Sequence, residues 1–432
     1  MFHAVMGLQF GDEGKGKFVD YLSRRYRHIA RFNGGANAGH TVNVGETKAA
    51  FSQIPATLEG AKELYVCQGS LLSLDTLERE INYIQSVHPD NKIHIDPRCH
   101  IVLPIHAQLN RASEAFKGKK KIGSVGVGVG ACFEDKANRH GIRLIDTQNP
   151  DTLRQKLLML WDIRKKQIEQ VFEGTLDLEF DAEFEKLLKL GKTVRHYECF
   201  TDEKISAALA ANEGVLLETS QAAFLDCAFG TYPYTVAYQT LPQNCFGMIG
   251  IPAHRMHVLG VMKAYMIRVG NGPFPTELDD ERADTIRERG HEYGTVSKRP
   301  RRCGWLDLPL VDHAVRLAGV TEIAITNVDV LGGMKEIWVC TGYRLNGRSV
   351  SANEALMQFA DIEPVYERLP GWPPLTGRYH SIDAFPAELR HYLGFIQSHL
   401  SAKIRFVSYG PDRSETLRIG SHHPAAIAEM SA

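Results

Sequence analysis

The chain has 432 residues, 44% of them hydrophobic and 23% charged, with a formal net charge of −1, which is ordinary globular composition with ample material for a core. Near-neutral charge argues against a nucleic-acid binder, which carries a basic footprint. Eight cysteines are scattered without a C-x-x-C pair, so reduced thiols in a cytosolic protein are expected rather than a disulfide framework or a zinc site.

No apolar run approaches about 18 residues, and the chain goes straight into its first strand, so a soluble, cytoplasmic protein without a membrane partner is expected. Length admits two or three domains, and one large α/β domain with insertions fits equally well. Internal repeats and low-complexity tracts are absent.

The first predicted element is a short apolar strand through Val5, Met6 and Leu8. It meets the loop Gly11-Asp12-Glu13-Gly14-Lys15-Gly16-Lys17, which opens an amphipathic helix through Phe18, Val19, Tyr21 and Leu22. Such loops bind phosphate because glycines let backbone N–H groups approach the oxygens and the helix N-terminus adds partial positive charge. The spacing Gly11-x4-Gly16-Lys17 fits the phosphate-loop pattern, but Phe18 stands where Ser or Thr would hold magnesium. Asp12 is the nearest carboxylate that could take over that task. A solvated Gly/Lys turn is the alternative reading of the glycines alone. One strand later (28–32) comes a second loop, Asn33-Gly34-Gly35-Ala36-Asn37-Ala38-Gly39-His40-Thr41, able to face a ligand with backbone and polar side chains together.

Further strands are predicted at 64–67, 93–95 and near 101–103, with helices at 74–87 and about 109–116. The run 123–130 has glycines at 123, 126, 128 and 130, which suits a backbone-lined binding loop better than a strand. Residues 151–213 read as a mostly helical peripheral subdomain. Continuous apolar runs at 214–218, 258–269, 322–330, 337–343 and 404–408 predict buried strands, with helices at 308–317 and 386–400 between them. Strands alternating with helices imply a mostly parallel sheet covered on both faces. Ligands in such sheets sit beyond the carboxyl ends of the strands, where all the loops named above fall.

GDEGKGK followed by NGGANAGHT resembles adenylosuccinate synthetase, and the likeness runs nearly the whole chain. Other matching stretches are Phe133-Glu134-Asp135-Lys136, Gly230-Thr231-Tyr232-Pro233-Tyr234, the run 268–278, Gly304-Trp305-Leu306-Asp307 and Gly410-Pro411-Asp412-Arg413. The resemblance implies a single domain over 1–432 with a phosphate-loop, GTP-binding α/β fold. It implies a homodimer, magnesium, and GTP as co-substrate. GTP phosphorylates the 6-oxygen of IMP, and L-aspartate then displaces phosphate to give adenylosuccinate. By the same resemblance Asp12 matches the general base and a magnesium ligand, and Gly39 offers a magnesium-binding carbonyl. His40 matches the acid facing the transferring phosphoryl group, and Gln221 the side chain holding the purine and its 6-oxyanion. Gly11, Glu13, Gly14, Lys15, Gly16 and Lys17 would hold the phosphates, with the two lysines neutralising charge.

The likeness is uneven across the binding segments. The family's Thr-Lys-x-Asp guanine motif is Thr326-Asn327-Val328-Asp329 here. Asp329 can accept from guanine N1 and N2, Asn327 covers less of the ring than lysine would, and Ser408 and Gly410 match the other side of the pocket. On the acceptor side the family's Gly-Thr-Thr-Gly-Arg is Gly123-Ser124-Val125-Gly126-Val127, so Val125 replaces a threonine that donates to the IMP 5′-phosphate. Val236 replaces a second such threonine. Asn37 and Arg139 remain as phosphate contacts, the matching arginine reaching across a dimer interface. The aspartate loop Ala-Thr-Thr-Gly-Arg-x-Arg is Thr295-Val296-Ser297-Lys298-Arg299-Pro300-Arg301. There Thr295 and Ser297 are amino-acid contacts, Arg299 matches a residue near the ribose, and Arg301 matches the arginine gripping the aspartate carboxylate.

The reading is a GTP-dependent ligase forming a C–N bond between an acidic amino acid and an IMP-like oxo-purine, with adenylosuccinate or a close analogue as product. Two other readings stand beside it: a paralogue using a modified or unphosphorylated acceptor in specialised nucleoside biosynthesis, and a GTP-binding regulator without turnover.

Overall fold

The computed structural model describes residues 1–294 and 299–420. Nine strands form its central sheet: β1 (Phe2–Gly7), β2 (His28–Arg31), β3 (Glu63–Val66), β4 (Lys92–Ile95), β5 (Val215–Ala222), β6 (Met256–Lys263), β7 (Glu322–Thr326), β8 (Lys403–Ser408) and β9 (Thr416–Arg418). Their order across the sheet is β9-β8-β7-β6-β1-β5-β2-β3-β4. Every neighbouring pair is parallel except β8–β9. An antiparallel edge strand ends the sheet on that side.

Burial follows the two-residue period of a strand. Phe2, Ala4 and Met6 of β1 join Leu217 of β5 and Val258 of β6 in one hydrophobic core. Val5 joins Leu216, Leu259 and Ile29 in the core on the opposite face. The second core also receives α5 (Pro150–Lys166) and α6 (Phe180–Val194), through Leu153, Leu157, Leu160, Phe184 and Leu187. The helices preceding these two in the chain are α1 (Lys15–Ser23), α2 (Leu74–Val87), α3 (Pro104–Lys117) and α4 (Val129–Asn138). Among the described residues no helix is long and apolar enough to cross a membrane.

Three expectations need correction. The run 258–269 is not one strand: β6 stops at Lys263, and Met266–Arg268 leaves the sheet to pair antiparallel with Arg302–Gly304. The run 322–330 ends as a strand at Thr326, because Asn327 turns the chain with φ +59°. The run 337–343 belongs to a separate sheet, where Glu336–Leu345 pairs antiparallel with Glu363–Pro370. An apolar run reports burial and not which sheet buries it. The short strand expected near 101–103 is His100–Ile101, paired with Leu71–Leu72 outside the main sheet.

Candidate active site

The glycine loop leaves the carboxyl end of β1 and enters α1 at Gly14, whose φ of +94° a side chain would strain. Glu13 gives the loop its shape. One of its carboxylate oxygens accepts from the amides of Gln9 (3.2 Å) and Gly11 (2.7 Å), and the other pairs with Lys15 Nζ at 2.8 Å. A Cβ on Gly7 would meet that carboxylate at 2.1 Å, so only glycine admits it. The second loop closes against the first: a Cβ on Gly16 would lie 2.9 Å from the Cβ of His40.

Between these loops lies a cleft of about 420 Å³. Gly11, Asp12, Lys15, Gly39, His40 and Gln221 line it, and so do Asn37, Ser124, Val125, Val236 and Arg301. The expected catalytic side chains therefore share one space. So do the two residues expected to bind magnesium.

His40 is held by a residue that sequence reasoning missed. Glu218, fully buried on β5, hydrogen-bonds His40 Nδ1 with one oxygen and accepts from the Ala56 amide at 2.7 Å with the other. Burial pushes His40 below its ordinary value, opposed by Glu218. Burial alone would raise Glu218, but His40, Arg31 and the Ala56 amide together hold it below the usual carboxylate range. The pair is thus an ionised carboxylate against a ring whose Nδ1 carries the proton, which directs Nε2 toward the cleft. A charge inside the apolar run 214–218 was the signal for Glu218, since a buried carboxylate needs partners.

Asp12 takes φ +59° and keeps its side chain about one-third exposed. Its carboxylate pairs with Arg301 Nη2 at 2.5 Å, and Arg301 Nη1 also reaches Glu292 at 3.2 Å. Glu292 is buried, accepts from Tyr265 Oη at 2.6 Å and pairs with Lys263. No sequence pattern marked Glu292. The donors at the Asp12 end of the cleft are hard oxygens, a carboxylate and the Gly39 carbonyl, which suit magnesium. Among the described residues no group of three or more His, Cys, Asp or Glu could hold a metal.

The residues expected to read guanine lie outside this cleft, at the carboxyl ends of β7 and β8. Lys17 Nζ donates there to Ser408 Oγ (2.7 Å) and to the carbonyls of Gly410 (2.8 Å) and Glu415 (3.2 Å). Burial pushes Lys17 down to about 8, opposed by Glu415, Asp329 and Asp412. Lys17 therefore ties the first turn of α1 to the segment after β8, whereas Lys15 is tied within the loop. Asp329 Oδ1 is buried without a partner, and burial raises this carboxyl above its ordinary value. Asn327 stands at the turn after β7.

On the acceptor side, Ser124 exchanges hydrogen bonds with Asn110, and Val125 is 46% exposed. Val236 packs with Val127 against Leu71, Val129, Cys132 and Tyr238. Asn37 Nδ2 donates to Tyr238 Oη at 3.3 Å; Tyr238 is another residue the sequence did not mark. Arg139 ends α4 with φ +66°, exposed and outside the lining of this chain's cleft. Arg299 is exposed, and its carbonyl accepts from the Gly294 amide. Thr295 and Ser297 lie outside the described residues.

Residues 4–417 match the family model of adenylosuccinate synthetase. The chain belongs to the adenylosuccinate synthetase family. It is similar to adenylosuccinate synthetase 1 of Photorhabdus laumondii subsp. laumondii, with 60% identity over 96% of this chain and 99% of the relative. Similarity to adenylosuccinate synthetase of Clostridium botulinum is 38% over 96% of this chain and 99% of the relative. The fully ligated adenylosuccinate synthetase structure from Plasmodium falciparum superposes with a TM-score of 0.90 at 31% identity, covering 97% of this chain and 99% of that one. A succinoaminodeoxyadenylate synthetase of cyanophage S-2L, at 18% identity and a TM-score of 0.60, shares the fold.

Proposed function

We infer that this member of the adenylosuccinate synthetase family is a GTP-dependent ligase that joins IMP and L-aspartate to give adenylosuccinate. The observation that carries the reading is the convergence of Asp12, Gln221 and the Glu218-braced His40 in one cleft between the two glycine loops. A lactam oxygen is a poor nucleophile and a worse leaving group, so it must first be ionised and then phosphorylated. Asp12 takes the N1 proton of the purine, and the electron pair moves onto the 6-oxygen beside the Gln221 amide. That oxygen attacks the γ-phosphorus and GDP leaves. His40 Nε2 faces the transferring phosphoryl oxygens, and the Glu218 charge supports its imidazolium form there. The amine of aspartate then attacks C6, the C–O bond breaks and phosphate departs. Arg301 meets the aspartate carboxylate, exchanging its pairing with Asp12 for the substrate. A magnesium ion, when bound, supplies positive charge along the phosphoryl oxygens, with Asp12 and Gly39 as its protein ligands.

Guanine is favoured over adenine because the unpartnered buried Asp329 oxygen needs donors, and guanine N1–H and N2–H supply them. The readings of a paralogue for unphosphorylated acceptors and of a regulator without turnover are not favoured: nearly full-length identity of 60% to a synthetase speaks against both. Phosphate release from GTP that requires IMP and aspartate together tests the reading; release without either, or none at all, would overturn it.

The protein is further proposed to act in the cytoplasm as a homodimer. Arg139, exposed and outside its own cleft, is the cation a partner's cleft would receive for the acceptor phosphate. Sedimentation at micromolar concentration tests this, and a monomer with dilution-independent activity would count against it.

A further inference from the structure

The acceptor end of the cleft has few uncommitted donors. Val125 and Val236 present methyl groups to it. The successive amides of Ile122, Gly123 and Ser124 are already bonded to the Glu114 carboxylate, at 3.2, 2.7 and 3.3 Å.

Into this apolar wall is set the buried hydroxyl of Tyr238, beside that of Ser220. Its ring stacks on Phe133 with centroids 4.9 Å apart, leaving the residue 3% exposed. The hydroxyl accepts from Asn37 Nδ2 at 3.3 Å, and the buried Arg31 guanidinium, Ser220 and Gln221 are the other polar side chains around it. Ser220 gives its own proton to the Asn33 carbonyl, which leaves its oxygen an acceptor. Burial pushes the Tyr238 phenol up to about 12, so it stays neutral at physiological pH. A second observation points to a ligand: Asn37 Oδ1 is buried with no partner. An amide oxygen left so needs a donor from whatever fills the site.

We propose that Tyr238 is the positioning residue of the acceptor subsite, its hydroxyl fixing the Asn37 amide so that Oδ1 and the second Nδ2 hydrogen both face the acceptor. An amide presents a donor and an acceptor that exchange places when it flips. Held by Tyr238, Asn37 takes a hydroxyl on Oδ1 and an anionic oxygen on Nδ2. A ribose phosphate carries both groups. The arrangement offsets part of the loss of donors at Val125 and Val236, and it rests on the reading of the acceptor as IMP.

Tyr238→Phe keeps the ring and its stack on Phe133 while removing the hydroxyl. The KM for IMP is expected to rise roughly three- to tenfold, as for one neutral hydrogen bond. The KM values for GTP and aspartate should stay within about twofold, and the melting temperature within a few degrees. Asn37→Ala in the Tyr238→Phe background should raise the KM for IMP less than it does in the wild type, since the two act as one unit. An unchanged KM for IMP, equal rises for all three substrates with a lowered melting temperature, or additive effects of the two substitutions would each overturn the proposal. Wild-type protein measured alongside separates the other failure: no product from IMP would sink the functional reading, and this inference with it.

Discussion

At the residue scale the site depends on side chains that touch no substrate. Glu218 is the clearest case, because it sets which nitrogen of His40 faces the cleft. Glu218→Gln keeps the volume and one acceptor for the Ala56 amide but removes the charge that supports the imidazolium. The expected result is a fall in kcat of roughly 10²- to 10³-fold, within the range of about 10²–10⁴ of a general acid–base contribution, with the KM for GTP within a few-fold. Steady-state kinetics with a thermal melt decide it. Equal kcat, or a fall matched by loss of folded protein, would remove Glu218 from this role. Sequence reasoning missed Glu218, and the charge it places in an apolar run was the one signal that could have found it. Glu13 and Lys17 were legible as loop members and not as to direction. Their side chains turn away from the cleft, Glu13 onto the nearby Gln9 and Gly11 amides and Lys15, and Lys17 onto Ser408 and Gly410; the partners of Lys17, hundreds of residues away, leave no local pattern.

At the element scale, the loop between α3 and α4 determines what the acceptor meets. It is pinned in the middle by Glu114 and at its base by buried His106, which bonds Asp135 at 2.7 Å while Arg164 holds the other Asp135 oxygen. Gly128 permits the close approach, since a Cβ there would lie 2.6 Å from the Ala107 amide. Glu114→Ala frees three amides and should loosen the loop. Losing hydrogen bonds to a charged acceptor costs about 1.5–3 kcal/mol, so the KM for IMP should rise roughly ten- to a hundredfold while the KM for GTP holds. Parallel rises in both would show a general loss of structure instead. The four glycines within 123–130 made this segment readable as a loop, because regular strands exclude that composition. The anchors were not readable: a glutamate on a charged helix looks like any solvated residue. The run 337–343 is a strand as expected, but its place in a separate sheet was not readable, because a buried run looks the same in either sheet.

At the scale of the whole molecule, buried histidines tie stability to pH. Burial pushes His3 and His100 to about 4, and both lie where the chain is packed: His100 is 6% exposed, and a Cβ on Gly141 would meet its ring at 2.5 Å. Their folded values are depressed below the unfolded value, so the unfolded state binds more protons. The stability they contribute is present above about pH 6.5 and is lost as pH falls toward 4. Each should account for roughly 2 kcal/mol of lost stability between pH 7 and 5. Urea midpoints at the two pH values check this, with His100→Gln flattening the dependence; an unchanged slope in that variant would contradict it. The overall architecture was legible because alternating strands and helices leave few topologies for a parallel sheet.

The central claim is that the purine 6-oxygen leaves as phosphate after attack on GTP. IMP labelled with oxygen-18 at the 6-position, incubated with the protein, GTP, magnesium and aspartate, tests it directly by mass analysis of the phosphate released. The account predicts one labelled oxygen in each phosphate, in step with adenylosuccinate formed. Unlabelled phosphate, with the label passing to water, would contradict it.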